Sequence, residues 1–166
     1  MNSCSIRSGT QSDLPSVLNL IKELAEYEKA PHEVTNTLQL MEEDAFGEKP
    51  AFDFFVAEVD GKVVGMAIYY IKYSTWKGKC VFLEDLIITE KMRCKGIGEK
   101  LFFAVAGVAK KMKVQRMEWQ VLDWNEPAIN FYKKHQANLD SEWINGKLVF
   151  EQLQKIVPPS SLTGKN

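Results

Sequence analysis

The chain has 166 residues, 45% of them apolar, with 21 basic and 22 acidic side chains and a formal net charge of −1. That length supplies one domain with a single sizeable core, and the even charge excludes the basic stripe of a nucleic-acid binder. No apolar run approaches the ~18 residues of a membrane span, and the three cysteines, Cys4, Cys80 and Cys94, lack metal-ligand spacing. With no signal-peptide core at the N-terminus, the expectation is a cytoplasmic protein with reduced thiols, no metal, and no nucleic-acid or membrane partner.

A short strand around Ser5-Ile6-Arg7 comes first. Ser12 or Asp13 then caps a helix with Leu14, Val17, Leu18, Ile21, Leu24 and Ala25 on one face. It ends at Ala30-Pro31, after Glu26-Tyr27-Glu28, where carboxylates sit at the unfavourable negative end of the dipole. A second helix is expected from Thr37 to Ala45, closed by Phe46-Gly47. The period then drops to two: Phe52 to Val59 and Val63 to Tyr73 read as antiparallel strands joined by Asp60-Gly61. The segment Ser74-Thr75-Trp76-Lys77-Gly78 turns the chain into a third strand, Cys80 to Ile88. Trp76 in that turn suits either packing over the sheet edge or a ligand.

The third strand carries Glu84-Asp85 inside an apolar run. Neighbours on a strand face opposite ways, so one carboxylate must point inward or into a cleft unless a bulge or sheet edge intervenes. Beyond it, Arg93-Cys94-Lys95-Gly96-Ile97-Gly98 leads into a helix with Leu101, Phe102, Val105, Val108, Ala109 and Met112 on its core face. A glycine-containing turn between strand and helix points backbone N–H groups and the positive helix end at one spot, suited to an anion such as phosphate. The pattern is neither a dinucleotide fingerprint nor a Walker A loop. A fourth long strand, Arg116 to Leu122, precedes Asp123-Trp124-Asn125-Glu126-Pro127, where Asn125 suits a helix cap and Pro127 the first turn. A helix from Glu126 to His135 follows, then a hairpin of Leu139 to Trp143 and Lys147 to Leu153 around Asn145-Gly146. The domain is expected to span 1–155, leaving a polar tail, 156–166, disordered from Pro158 on.

Taken together, FLEDLII, RCKGIG, LDWNEPA and Phe131-Tyr132 on the following helix resemble the GNAT superfamily of N-acetyltransferases in the right order, from about Ile6 to Leu153. Through IKELAEYEK, FGEKP, YSTWKGK, FLEDL and DWNEPAINFYK the chain is most similar to the diamine (spermidine/spermine) and thialysine branch. The resemblance implies an α+β fold with a mostly antiparallel, twisted and splayed central sheet flanked by helices. It also implies acetyl-CoA as co-substrate, a small-molecule amine as acceptor, and a homodimer.

Site residues follow from the same resemblance. Arg93, Cys94, Lys95, Gly96, Ile97, Gly98 and Glu99 would hold the pyrophosphate, largely through amides. Leu86, Ile87 and Ile88 would run beside the pantetheine arm, with the turn of Asn125, Glu126, Pro127 and Ala128 on its other side. Tyr132 corresponds to the acid that protonates the leaving thiolate, a role open to a phenol of pKa about 10. A lysine-like amine of pKa about 10.4 must lose a proton at a cost of ~4 to 5 kcal/mol at pH 7. Glu84 matches the residue that takes it through water. Tyr27, Glu28, Trp76, Glu84, Asp85, Trp119, Trp124 and Glu142 match or neighbour the cation-binding channel.

Three departures bear on that picture. Ser74 stands where polyamine enzymes carry an aspartate, which favours a lysine-like mono-amine such as thialysine over a polyamine. Cys94 and Gln136 stand where glycines are usual; a positive φ at either would cost of order 1 kcal/mol. Cys94, beside Lys95 at a helix start, is either an inert thiol or one of lowered pKa. Three other readings remain: an acetyltransferase of a peptide or protein amine; a non-catalytic acyl-CoA-binding regulatory module, which would not need Tyr132 and Glu84; and an interaction protein using its sheet edge, which would bind no CoA.

Overall fold

The computed structural model describes residues 4–157, and the chain divides between Gln120 and Val121 into two compact units. The first holds five strands, β1 (Cys4–Ser8), β2 (Asp53–Val59), β3 (Lys62–Ser74), β4 (Gly78–Ile88) and β5 (Met117–Glu118), ordered β1-β2-β3-β4-β5. All neighbours are antiparallel except β4 and β5, which run parallel. Three helices, α1 (Leu14–Tyr27), α2 (Leu38–Phe46) and α3 (Ile97–Lys111), complete this unit. The expected α+β class, a mostly antiparallel sheet flanked by helices, is what forms.

The two faces of the sheet are covered by different helices. Leu14, Val17 and Leu20 of α1, with Met41 and Ala45 of α2, bury one core against Phe54, Val56, Met66, Ile68 and Ile87. The opposite face receives α3 through its buried Ile97, Leu101, Phe102 and Val105. Gly65 permits that approach, since a Cβ there would lie 2.9 Å from the Ile87 carbonyl oxygen and 3.3 Å from Leu101 Cδ1. The Asp60-Gly61 turn joining β2 to β3 has both residues left-handed, at φ 50° and 73°, as a two-residue hairpin turn requires.

Helices α1 and α3 end alike. Ala30 N–H donates to Ala25 O and Lys29 N–H to Glu26 O at the end of α1; Val114 N–H donates to Ala109 O and Lys113 N–H to Lys110 O at the end of α3. Both are Schellman motifs, whose left-handed position favours glycine. Here lysines occupy it, Lys29 at φ 62° and Lys113 at φ 54°.

The second unit contains α4 (Glu126–Lys134) and the short α5 (Phe150–Leu153). Asn125 caps α4, its side-chain oxygen accepting from Ala128 N–H at 3.3 Å. Gln136 closes it in a third Schellman motif, at φ 59°.

Two sequence expectations are corrected. The fourth strand is confined to Met117–Glu118 rather than running from Arg116 to Leu122, because the β4–β5 ladder ends at Phe82 and Glu118, just before β4 changes register. The terminal hairpin does not form: no strand occurs in 139–153, and Phe150–Leu153 is helical, with Val149 N–H donating to Gln152 Oε1. A two-stranded hairpin needs an apolar face covered, whereas Trp143 and Ile144 are 76% and 96% exposed. The tail from Pro158 lies outside the described residues.

Candidate active site

The sheet changes register within β4. Leu83 pairs with Tyr69 and Asp85 with Ile68, so Glu84 is an extra residue without a partner on β3. This is a β-bulge, which bends the strand and re-aims side chains. Leu83 stays on the face of Tyr69, and Asp85 moves to the face of Ile68, towards the α1–α2 core. Tyr70 lies two residues from Ile68 and therefore on the same face, and burial, then the charges of Glu84 and Glu118, push its phenol up. The bulge thus turns two successive carboxylates to one side.

A third carboxylate joins them from α1. Glu28 follows the last helical residue, Tyr27, and acts electrostatically on Asp85. Burial, with repulsion from Glu84 and Glu28, pushes the Asp85 carboxyl up to about 6; burial also pushes Glu28 up. Glu84 itself is exposed. Three carboxylates of which two resist ionisation suit a site that receives a cation and a proton.

Beyond Phe82, β4 has no strand neighbour on its β5 side among the described residues. Its last residues, Leu86, Ile87 and Ile88, lead through Thr89 and a 3-10 turn (Glu90–Met92) to the Arg93–Gly98 segment. Gly96 caps α3 in the left-handed region, at φ 74°, and a Cβ there would meet nothing within 4 Å. A glycine cap brings no side-chain acceptor to the first-turn N–H groups, so the open space before α3 fits an anion. Cys94 is left-handed as well, at φ 59°, and exposed. The guanidinium of Arg93 is engaged by β4 and α1: Nε donates to Ile88 O at 3.0 Å, Nη2 lies 4.0 Å from Glu23 Oε1, and the group sits 5.0 Å from the centre of the Tyr27 ring.

The remaining expected residues are more scattered. Trp76 is 81% exposed at the tip of the β3–β4 turn, where Ser74 Oγ accepts from the N–H groups of Trp76 and Lys77. From Gly78 to Glu84 is six strand steps, roughly 20 Å at ~3.3 Å each, so the first unit does not bring Trp76 to the carboxylates. Trp119 packs edge-to-face on Phe102 at 5.5 Å. In the second unit Tyr132 on α4 is buried at 7% exposure, and burial pushes its phenol up to about 12. Trp124 and Glu142 are exposed there, and Glu142 N–H donates to Asp140 Oδ1. Among the described residues no cluster of His, Cys, Asp and Glu could hold a metal ion, and no helix is long and apolar enough to cross a membrane.

Sequence reasoning missed Tyr70 and Glu23. An alternating strand gives no hint that a bulge brings one tyrosine into the field of a carboxylate. Glu23 was more accessible: it lies four residues before Tyr27, hence on the same face of α1, and α1 has no basic residue in its last turn to balance it.

Residues 15–136 match the acetyltransferase (GNAT) family. A thialysine N-epsilon-acetyltransferase of Mus musculus is 40% identical over 141 residues, covering 80% of this chain and 83% of that protein. Among solved structures, an integron cassette protein from the V. cholerae mobile metagenome aligns with a TM-score of 0.75 at 25% identity, over 92% of this chain and 96% of that one. An aminoglycoside N-acetyltransferase in complex with CoA aligns with a TM-score of 0.72 at 17% identity, over 89% and 96% of the two chains. At that identity the likeness is one of fold.

Proposed function

As the chain belongs to the acetyltransferase (GNAT) family, we propose that it transfers the acetyl group of acetyl-CoA to a primary amine of a small cation. The acceptor is a lysine-like amine such as thialysine in preference to a polyamine. The observation that carries this reading is the bulge in β4, which sets Glu84 and Asp85 on one face with Glu28 nearby, on the strand that leads into the Gly96 turn. On this reading a cation site and an anion site lie at two points of one continuous segment.

The chemistry divides among these residues. Backbone N–H groups of Cys94 to Glu99 bind the pyrophosphate, and the edge of Leu86, Ile87 and Ile88 supports the pantetheine arm. Glu28 and Asp85 hold the ammonium ion by charge. Glu84, exposed to solvent, takes one ammonium proton through water, freeing the nitrogen lone pair. The amine nitrogen bonds the thioester carbonyl carbon, the C–S bond breaks with its electron pair leaving on sulfur, and the nitrogen releases its second proton to solvent to become a neutral amide. Tyr132, protonated at neutral pH as a phenol is, gives its proton to the thiolate and regains one from solvent. No covalent enzyme intermediate forms, and positioning supplies much of the rate.

Two further observations support the finer points. Ser74 spends its hydroxyl on the turn at the end of β3 and brings no charge for a second ammonium group, which favours a mono-amine; the mouse relative acts on thialysine by its name. The exposed apolar side chains Trp143, Ile144, Phe150 and Val157 would gain cover in a homodimer, the assembly proposed as the working unit. The experiment is release of CoA thiol by the purified chain with acetyl-CoA and thialysine, lysine, putrescine, spermidine or a short peptide. Turnover highest with thialysine or lysine is expected. Binding of acetyl-CoA without turnover on any amine would favour the non-catalytic acyl-CoA-binding module.

A further inference from the structure

Helix α1 ends badly by its own sequence. Glu23, Glu26 and Glu28 crowd its negative dipole end, its last turn carries no basic residue, and Lys29 closes it in a left-handed conformation at φ 62°. A cation at a helix C-terminus offsets such a cost; Lys29 brings one charge at the cap, and another element brings a second. Arg93, half-buried, reaches Glu23 with Nη2 at 4.0 Å and lies against the Tyr27 ring at 5.0 Å, while Nε donates to Ile88 O at 3.0 Å. Glu23 Oε1 also accepts from Glu90 N–H at 2.9 Å, tying the helix to the residues just before Arg93.

These contacts form one continuous path. The chain that becomes the Gly96 turn is bolted at Glu90 and Arg93 to Glu23 and Tyr27, and Tyr27 is followed by Glu28, whose carboxylate acts on Asp85. We infer that Arg93 is a positioning residue that fastens the acceptor end of α1 to the cofactor turn, and that its guanidinium is not a phosphate ligand. The inference rests on the acetyltransferase reading for its functional consequence. Its structural content, that Arg93 and Glu23 together hold residues 24–30 in place, stands without that reading. Because an arginine first in such a turn would otherwise be taken for a phosphate clamp, the two roles predict opposite effects on the two substrates.

The test uses Arg93→Gln, Arg93→Lys and Glu23→Gln in the full chain, with acetyl-CoA affinity by calorimetry, steady-state kinetics for thialysine, and amide hydrogen exchange. The expected result is an acetyl-CoA Kd within about threefold of the parent and an amine KM raised about tenfold in Arg93→Gln and Glu23→Gln, with kcat little changed. Amides of residues 24–30 exchange faster in both, and Arg93→Lys, which keeps the charge and loses the fork, lies between. A loss of acetyl-CoA affinity of about tenfold or more in Arg93→Gln, with exchange at 24–30 unchanged, would overturn the inference in favour of a phosphate ligand. Glu23→Gln guards against a folding defect, since it leaves Arg93 its bond to Ile88. If the parent chain acetylates no amine, the proposed function falls, and the exchange and calorimetry still decide for or against the fastening role.

Discussion

Glu84 and Asp85, neighbours in sequence, present their carboxylates on the same face of the sheet because β4 carries one residue more than β3 between Leu83 and Asp85. Regular alternation would have separated them. The cost falls on Asp85, whose carboxyl is pushed from the usual range up to about 6 by burial and by Glu84 and Glu28.

That cost has a definite pH dependence. A carboxyl whose folded-state pKa is raised contributes stability that is complete below its unfolded value near 4 and is lost as pH rises through about 6. Asp85→Asn, which cannot ionise, should therefore match the parent near pH 4 and exceed it at pH 8 by on the order of 2 to 3 kcal/mol. Urea denaturation of both proteins at the two pH values checks this; equal stabilities throughout would remove the carboxylate cluster from the account.

In the proposed mechanism Glu84 and Tyr132 have separate proton jobs, so their variants should fail differently. Glu84→Gln is expected to lower kcat about 100-fold or more, with partial recovery at high pH, where free amine becomes available without a base. Tyr132→Phe should lower kcat by a similar factor without that recovery, because the leaving thiolate still lacks a donor. Rate profiles from pH 6 to 10 distinguish the two; recovery of Tyr132→Phe at high pH would contradict its role as the acid.

Lys29, Lys113 and Gln136 each close a helix in the left-handed region, and Cys94 adopts it in the turn before α3. Glycine at these sites relieves backbone strain but adds entropy to the unfolded chain. Lys113→Gly and Gln136→Gly should each gain up to about 1 kcal/mol, whereas Cys94→Val, β-branched at positive φ, should lose more than about 1 kcal/mol. Chemical denaturation measures all three, and tolerance of valine at position 94 would mean the turn is not held as described.

Arg7 grips Asp13 with two hydrogen bonds, at 2.7 and 2.8 Å, and Glu58 with two more. The guanidinium holds the buried Asp13 carboxyl well below the usual carboxylate range. A depressed carboxyl contributes stability present above its unfolded pKa near 4 and lost as pH falls through the folded value. Asp13→Asn should cost on the order of 2 kcal/mol at pH 7 and progressively less below pH 4, readable from thermal melts across that range.

Most of the scaffold was legible because its signals are local. The apolar spacing of Leu14, Val17 and Leu24 marks α1, Asp60-Gly61 marks the β2–β3 hairpin, and Asn125 with Pro127 marks the start of α4. The bulge at Glu84 was not legible, since an extra residue in one strand is defined only by its partner strand; sequence alternation could say no more than that one of the two acids was misplaced. The shortness of β5 and the missing terminal hairpin share that cause. Arg116 to Leu122 and Leu139 to Leu153 have strand-like composition, yet pairing depends on an edge that the sequence does not announce. Arg93 was legible as part of a turn, but its commitment to Glu23 and Tyr27 depends on where α1 ends.

The central claim is tested most directly by offering the purified chain acetyl-CoA with equal concentrations of thialysine and spermidine and identifying the acetylated product by mass spectrometry. The account predicts acetyl-thialysine as the main product, with equimolar CoA thiol released, and loss of both in Glu84→Gln at pH 7. Acetylation of spermidine in preference would contradict the assignment of a mono-amine acceptor, and no acetylated product from either, with acetyl-CoA bound, would contradict catalysis at this site.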